Sequence, residues 1–194
     1  MFMKKSVMTL AAIAIASVSA TAVISQSPAV AEKIVTVGGA PMYASKNIIE
    51  NAVNSKDHTT LVAAVKAAGL VDTLSGKGPF TVFAPTNAAF DKLPKGTVEN
   101  LLKPENKEQL KKILTYHVLA GKKPSYSAIT KMTKDDNNKH PVKTVSGDMF
   151  TTMIDGGKLK IKDESGNVAT VTIPDVNQSN GVIHVIDTVL IPKS

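Results

Sequence analysis

Several residue types are absent from this sequence, and each absence excludes a class of chemistry. The 194 residues contain no Cys and no Trp, and every one of the 23 basic side chains is Lys. Without Cys the chain has no disulfide and no thiol nucleophile, and we expect no lipid anchor on a processed N-terminal Cys. Lys also lacks the planar fork with which Arg recognises phosphates and guanine edges. Because aromatic residues, which stack on bases, make up only 4% of the chain, we expect no specific nucleic-acid binding.

Motifs of catalysis and metal binding are absent as well. The sequence contains no G-x-S-x-G elbow, H-E-x-x-H pair, P-loop or G-x-G-x-x-G stretch. Its His residues are far apart in sequence, so only the fold could bring them together around a metal. They are His58, His117, His140 and His184. The sequence therefore predicts a protein that is not an enzyme and that has no cofactor and no metal.

The N-terminus has the pattern of an export signal. Two Lys residues precede an apolar stretch diluted by Ser and Thr over residues 7–24, and Ala-Val-Ala at 29–31 is typical of a signal-peptidase site. We predict that residues 1–31 are a signal peptide and that cleavage before Glu32 leaves a single domain. The product would be secreted or periplasmic, and an exported domain without disulfides indicates a bacterial source.

The charge that remains after cleavage is positive and comes from Lys alone. Removing residues 1–31 takes away two Lys and no acidic residue, so the formal net charge falls from +7 to +5. Hydrated point charges of this kind keep a protein soluble and attract anionic polymers or lipid headgroups loosely. Peripheral contact with a membrane therefore stays open as one kind of interaction.

Helical patterns dominate the first half of the mature chain. Residues 32–44 are expected to be a leader segment, with residues 38–41 as its flexible point. Asp57 or Thr59 is expected to cap the second helix, and Gly69 is expected to end it. Apolar stripes and turn residues predict helices at residues 47–53, 59–68, 88–93, 97–102 and 105–114.

Strand patterns dominate the second half. Residues 182–186 are nearly all apolar and suit a central strand buried on both faces. In residues 158–162 Lys alternates with Leu and Ile, so one face of this strand should be in water, and the Lys side chains would protect it at a sheet edge. Strands are predicted at residues 81–83, 142–145, 148–154, 158–162, 168–173 and 182–186. Helices followed by strands predict an α+β domain in which helices pack on antiparallel β-structure.

A sharp strand-to-helix corner follows the first of these strands. Pro85 has no N–H group and ends strand pairing. Thr86 or Asn87 can accept hydrogen bonds from the free N–H groups at the start of the next helix. Phe83 and Phe90 would hold the two sides of the corner in the core. We interpret the corner as a structural hinge rather than as an active-site elbow or an anion site.

Two His residues lie at positions where burial is expected. His184 falls on the strand at 182–186, where its ring nitrogens would find backbone partners. His117 follows the apolar stripe of the helix at 105–114 and would fix the junction between this helix and the next strand. Tyr116 is expected to point elsewhere and to present its hydroxyl outward.

Three stretches together resemble the signatures of fasciclin-like domains. They are residues 81–90 (TVFAPTNAAF), 116–119 (YHVL) and 180–192 (NGVIHVIDTVLIP). The three stand in the family's order and at its spacing, and the resemblance covers residues 45–192, the predicted domain. It implies a fasciclin-like α+β fold, in which N-terminal helices pack on a wedge of two mainly antiparallel β-sheets. It also implies a non-enzymatic role in cell adhesion or extracellular-matrix interaction.

The resemblance also gives roles to individual residues. In animal members the segment around the Tyr-His pair has been linked to receptor contact, so Tyr116 and His117 become candidate partner contacts. Structural positions of the family motifs fall on Thr86, Asn87, Asn180, Gly181 and His184.

The predicted function is therefore a secreted or periplasmic binding module in cell adhesion, for example in surface attachment or biofilm. Its partner would be a protein or polysaccharide of the cell envelope or matrix. One alternative is a carrier that holds a small hydrophobic ligand or lipid in a groove between helices and sheet. A hydrolase that uses Tyr116 and His117 is a third alternative.

Overall fold

The computed structural model describes residues 34–121 and 124–193, so the predicted signal peptide at 1–31 lies outside the described residues. Helices precede most strands, which confirms the predicted α+β class. The helices are α1 (Ile48–Ala52), α2 (Thr59–Ala68), α3 (Val71–Ser75), α4 (Asn87–Asp91), α5 (Thr97–Leu101), α6 (Lys107–Tyr116) and α7 (Tyr126–Asp135). Short 3-10 turns at Lys56–His58 and Pro104–Asn106 lead into α2 and α6.

The strands form a two-stranded hairpin and a seven-stranded sheet. They are β1 (Val35–Val37), β2 (Ala40–Met42), β3 (Phe80–Pro85), β4 (Val118–Ala120), β5 (Lys139–Lys143), β6 (Met149–Asp155), β7 (Lys158–Lys162), β8 (Val168–Gln178) and β9 (Gly181–Ile186). The order in the large sheet is β4-β3-β9-β8-β7-β6-β5. Its neighbours are antiparallel, except that β3 and β9 run parallel.

Strand β8 divides the large sheet into the two parts of the wedge. Its first residues pair with β7, and its later residues pair with β9. Within the part that pairs with β9 the register shifts twice, between Val171 and Ile173 and between Ile173 and Val176. Irregularities of this kind bend and twist a strand, so β8 belongs to both β-layers and turns one against the other.

Two apolar clusters fill the wedge. One packs α1, α2 and α6 against β3 and β9, and the other packs α7 and the end of α6 against β5 to β8. All six residues of β9 are buried, which confirms the prediction of a central strand at 182–186. The boundaries of α2 and its left-handed end at Gly69 are also as predicted, since the N–H of Leu70 bonds back to the carbonyl of Val65 at 3.0 Å.

The N-terminal segment differs from the expected leader. Val37 and Met42 of the β1–β2 hairpin are buried in the first cluster. Gly38 and Gly39 have φ of +58° and +75°, the left-handed values of a tight hairpin turn that glycine adopts without strain. The flexible point expected at residues 38–41 is therefore wrong, because this turn joins two strands that bury their side chains.

Helix α7 was not predicted from the sequence. Its buried residues are Ile129 and Thr133 only, and Ser125 caps its start by accepting a hydrogen bond from the N–H of Ala128 at 3.2 Å. Ile129 and Thr133 lie one turn apart, and the helix is as amphipathic as α6, so the sequence did offer a helical period here. Tertiary contact also holds the helix, since the hydroxyls of Thr133 and Thr152 are 2.7 Å apart in the interior.

Candidate functional site

His117 lies at the junction between α6 and β4 and is almost completely buried, with 3% of its surface exposed. Its Nδ1–H donates to the carbonyl of Ile113 at 2.8 Å, and its Nε2 accepts from the N–H of Leu190 at 2.9 Å. Burial lowers the pKa of His117 to about 4. The neutral ring thus ties the end of α6 to the segment after β9.

Tyr116 is 0% exposed, and its ring packs edge-on against Phe150 with centroids 6.0 Å apart. Its hydroxyl donates to the carbonyl of Met149 at 2.7 Å and accepts from the N–H of Glu164 at 3.3 Å. Burial raises the pKa of this hydroxyl. The expectation that Tyr116 presents its hydroxyl outward is wrong, because the last residue of α6 turns into the core under β6.

The predicted partner contact of Tyr116 and His117 stays a prediction. Both side chains already bond to backbone groups in the interior. Because both side chains are buried, they can affect a partner contact only indirectly, by holding the overlying surface residues in place.

Thr86 caps α4, as the sequence allows, by accepting from the N–H of Ala89 at 3.3 Å. Asn87 has a different task. Its Oδ1 accepts from the N–H of Thr60 at 3.0 Å, and its Nδ2 donates to the carbonyl of Lys56 at 2.8 Å. Asn87 therefore caps α2 from a distant part of the chain.

The caps expected for α2 from its own sequence are wrong. His58 stands at the N-cap and makes no side-chain cap bond, and neither Asp57 nor Thr59 takes its place. The free N–H at this helix start is satisfied across the tertiary structure, so no local pattern could have shown it.

Asn180 links three segments around the start of β9. Its Oδ1 accepts from the N–H of Ile48 at 3.0 Å, and its Nδ2 donates to the carbonyls of Leu74 and Gly76 at 2.7 and 2.8 Å. Gly181 follows where β9 approaches β3 so closely that an added Cβ would collide with the carbonyl of Phe80. The pair therefore fixes α1, α3 and the two central strands together.

His184 lies on β9 with 0% of its surface exposed. Its Nδ1 accepts from the N–H of Asp175 at 3.2 Å, and its Nε2–H donates to the carbonyl of Pro124 at 3.2 Å. Burial lowers the pKa of His184. The ring thus holds the bend in β8 and the chain entering α7 against the central strand.

Two other buried polar residues have structural tasks that the sequence did not reveal. The amide of Asn51 bonds both N–H and carbonyl of Tyr43 and also the side chain of Gln178. Asp163 accepts from the N–H of Asn167 at 2.7 Å and from that of Ile191 at 2.8 Å. An Asn on the apolar stripe of a short helix was the available signal for the first, and an Asp before a Gly-Asn turn for the second.

No catalytic constellation is visible in the described residues. Within residues 34–121 and 124–193, the buried side-chain polar atoms without a hydrogen-bond partner are His58 Nε2 and Thr130 Oγ1, which lie on separate elements. No group of three or more His, Asp or Glu side chains in residues 34–121 and 124–193 could hold a metal ion.

An apolar cavity lies between the hairpin, α1, α2 and the central strands. Val37, Ile49, Val65, Val82 and Ile183 are among its lining residues, and its volume is about 50 Å³. Sites for small organic ligands are typically about 300–1,000 Å³. A carrier that holds a lipid or hydrophobic ligand in this cavity between helices and sheet is therefore not favoured.

The outer surface of strands β5 to β8 is the most strongly charged feature of the described sheet. Register and alternating burial place five lysines on this side, and we call it the lysine face. The five are Lys139, Lys143, Lys158, Lys160 and Lys162. The inner side carries Phe150, Leu159 and Ile161, which pack in the second cluster.

A shallow depression of about 330 Å³ opens on the lysine face. Lys139 and Lys162 lie on its two sides, and Met149, Thr151 and Met153 of β6 lie between them. Two acidic residues that follow β7, Asp163 and Glu164, also line it. The sequence predicted the wet side of β7 from the alternation at 158–162. It did not show that β5 adds two more lysines to the same face, because that depends on the pairing of β5 with β6.

None of the helices in the described part of the chain combines the length and hydropathy needed to cross a bilayer.

Similarity to known proteins agrees with this architecture. The chain is 48% identical over 161 residues to Protein sll1483 of Synechocystis sp., covering 83% of this chain and 82% of that protein. It is 35% identical over 209 residues to Immunogenic protein MPB70 of Mycobacterium bovis, with 98% of each chain covered. It is 37% identical over 148 residues to the Cell surface glycolipoprotein MPB83 of the same species, covering 74% of this chain and 59% of that protein.

Among solved structures, a domain pair from the insect cell adhesion molecule Fasciclin I matches with a TM-score of 0.67. The match has 20% sequence identity and covers 75% of this chain and 50% of that chain, so it bears on the fold alone. The family model for the fasciclin domain matches residues 56–192. The corner at which Thr86 caps α4, the buried Tyr116-His117 junction and the Asn180-Gly181 start of β9 are all present in the structure. The chain belongs to the fasciclin domain family.

Proposed function

We propose that this protein is a secreted or periplasmic, non-enzymatic binding module that acts in cell adhesion or in the matrix of the cell envelope. Its partner is a protein or a polysaccharide of the envelope or matrix. Export by a signal peptide at residues 1–31, ahead of a fasciclin domain at 45–192, is part of this proposal. A relative with 37% identity is named a cell surface glycolipoprotein, which supports a place at the cell surface.

The proposal rests mainly on the observation that the side chains of the family motifs stabilise the fold. Tyr116, His117, Asn180 and His184 bond backbone groups and are buried. A catalytic acid, base or nucleophile must reach its substrate, and these groups do not. A hydrolase based on Tyr116 and His117 is therefore not favoured, whereas a rigid module that presents an outer surface fits the geometry.

Deletion of the gene in its host, followed by a surface-attachment or biofilm assay, tests the role. We expect attachment to fall and to be restored by the full chain. A chain without residues 1–31 is the matched control, and it should fail to restore attachment because it is not exported. Unchanged attachment, with the protein confined to the periplasm on cell fractionation, would contradict the adhesive role.

A further inference from the structure

We propose that the lysine face binds an acidic polysaccharide, a polymer that carries carboxylate or sulfate groups. This inference deepens the proposed function and rests on it, because it gives the chemistry of the partner and the surface that binds it.

Lysines outnumber acidic residues on the strands of the lysine face. Strands β5, β6 and β7 contribute five Lys and only one acidic residue, Asp155, to this side, and Asp155 pairs with Lys160. By contrast, residues 91–112 around α5 and α6 carry six Lys and four acidic residues. The excess of Lys over acidic residues on these strands leaves a positive potential that attracts polyanions, and Asp163 and Glu164 beside the depression offset part of it.

The spacing of these charges suits an extended chain. Lys158, Lys160 and Lys162 repeat along β7 at about 7 Å, since each residue advances about 3.4 Å. Lys139 of β5 and Lys160 of β7 share a row with Met153 between them, and two strand spacings put them about 10 Å apart. A polymer with repeated anionic groups can therefore meet several lysines at once and gain by multivalency.

The shape of the face favours a polysaccharide over a membrane. The depression between Lys139 and Lys162 can accept a chain segment, whereas the plane of a bilayer cannot enter it. Its centre includes Thr151, whose hydroxyl both donates and accepts hydrogen bonds with sugar hydroxyls. The face offers no aromatic ring for base stacking, so a single-stranded nucleic acid fits less well.

Affinity measurements with defined polymers test the proposal. The exported protein is titrated with alginate, a polyuronate, and with uncharged dextran of similar length at about 0.05 M and 0.3 M salt. We expect binding to alginate that weakens at the higher salt, and no binding to dextran. The triple variant Lys139→Gln, Lys158→Gln, Lys162→Gln should bind alginate at least about tenfold more weakly.

A matched triple variant separates a binding face from net charge. Lys103→Gln, Lys107→Gln and Lys111→Gln remove the same charge from the helical side, and we expect less than a twofold loss of affinity. Asp155→Asn frees Lys160 from its ion pair and should tighten binding by about twofold. Equal losses in the two triple variants would overturn the proposal, because net charge would then suffice.

Two further results would overturn it. One is failure of the wild-type protein to bind either alginate or dextran sulfate at low salt. The other is binding to vesicles that contain phosphatidylglycerol without binding to either polymer, which would make the face a membrane surface. If the lysine-face variant still restores host attachment in full, the adhesive role stands while this face is not its site. If attachment never depends on the protein, the proposed function itself fails.

Discussion

The motif residues and the lysine face use polar chemistry in opposite ways. Asn180, His117 and His184 direct their polar atoms inward to backbone groups, and they have little contact with water. Lys139 and Lys158 direct their charges outward from a sheet whose other side is apolar. These motif residues thus hold the fold, and the lysine face that we propose as the binding surface lies outside the three motifs.

The largest effect expected on stability comes from Asn180. Asn180→Ala removes two buried hydrogen bonds and a partly buried one, and it leaves the N–H of Ile48 and the carbonyl of Leu74 without their Asn180 partner. Each unsatisfied buried group costs about 1–3 kcal/mol, so we expect the free energy of unfolding to fall by about 3–5 kcal/mol. Urea unfolding measures this. Asn177→Ala, at an exposed site, is the control and should change little; equal losses would remove the contrast between buried and exposed amides.

Acidification should cause the second largest loss of stability. Burial lowers the pKa of His117 to about 4 and also lowers the pKa values of His58 and His184. The unfolded chain therefore binds more protons below about pH 6.5, so stability is full above that pH and falls as pH drops towards 4. Protonation of the His117 ring in the unfolded chain should by itself lower the free energy of unfolding by about 2 kcal/mol between pH 7 and pH 5.

Urea unfolding at several pH values between 7.5 and 4.5 measures this dependence. Asp163 near His117 and Asp175 near His184 favour the protonated rings but are outweighed by burial. A free energy of unfolding that stays constant from pH 7 to pH 5 would show that the His rings are accessible to water.

Substitution of His117 tests its position directly. His117→Ala leaves the N–H of Leu190 and the carbonyl of Ile113 unpaired and opens a small void. We expect a loss of about 1–3 kcal/mol and a smaller dependence of stability on pH. His140→Ala, at the partly exposed hydrogen bond with Asp136, should cost less than about 0.5 kcal/mol. A thermal melt of His117→Ala equal to that of the wild type would instead favour the partner-contact role.

The smallest effect on stability should come from the lysine face. Each of Lys139→Gln, Lys158→Gln and Lys162→Gln should change the free energy of unfolding by less than about 0.5 kcal/mol, since exposed substitutions away from special contacts do little. Thermal melts of the triple variant measure this. The same variant should lose polymer binding. Substitutions in the motifs would then affect stability most, and substitutions on the lysine face would affect binding most. A large loss of stability would mean that the face is part of the fold's support.

Local rules predicted those elements whose cause lies within a few residues. Helix α2 ends at Gly69 because a residue without Cβ adopts the left-handed conformation at no cost. Strand β9 was recognisable because a continuous apolar run must be buried on both sides. The capping role of Thr86 followed from its place after Pro85, where a strand stops and a helix begins. The three motifs added the family, and with it the overall fold.

The sequence by itself therefore determined the class of the fold, the absence of thiol and disulfide chemistry, and the alternation that puts lysines on one side of β7. Tertiary structure alone decided that β3 and β9 are parallel, that Asn87 caps a helix begun 28 residues earlier, and that Tyr116 is buried. It also brought the lysines of β5 beside those of β7. The physical reason is the separation along the chain over which each interaction acts. Hydrophobic periodicity, helix caps and turns depend on a few neighbouring residues, whereas strand pairing and burial bring together groups that are far apart in the chain.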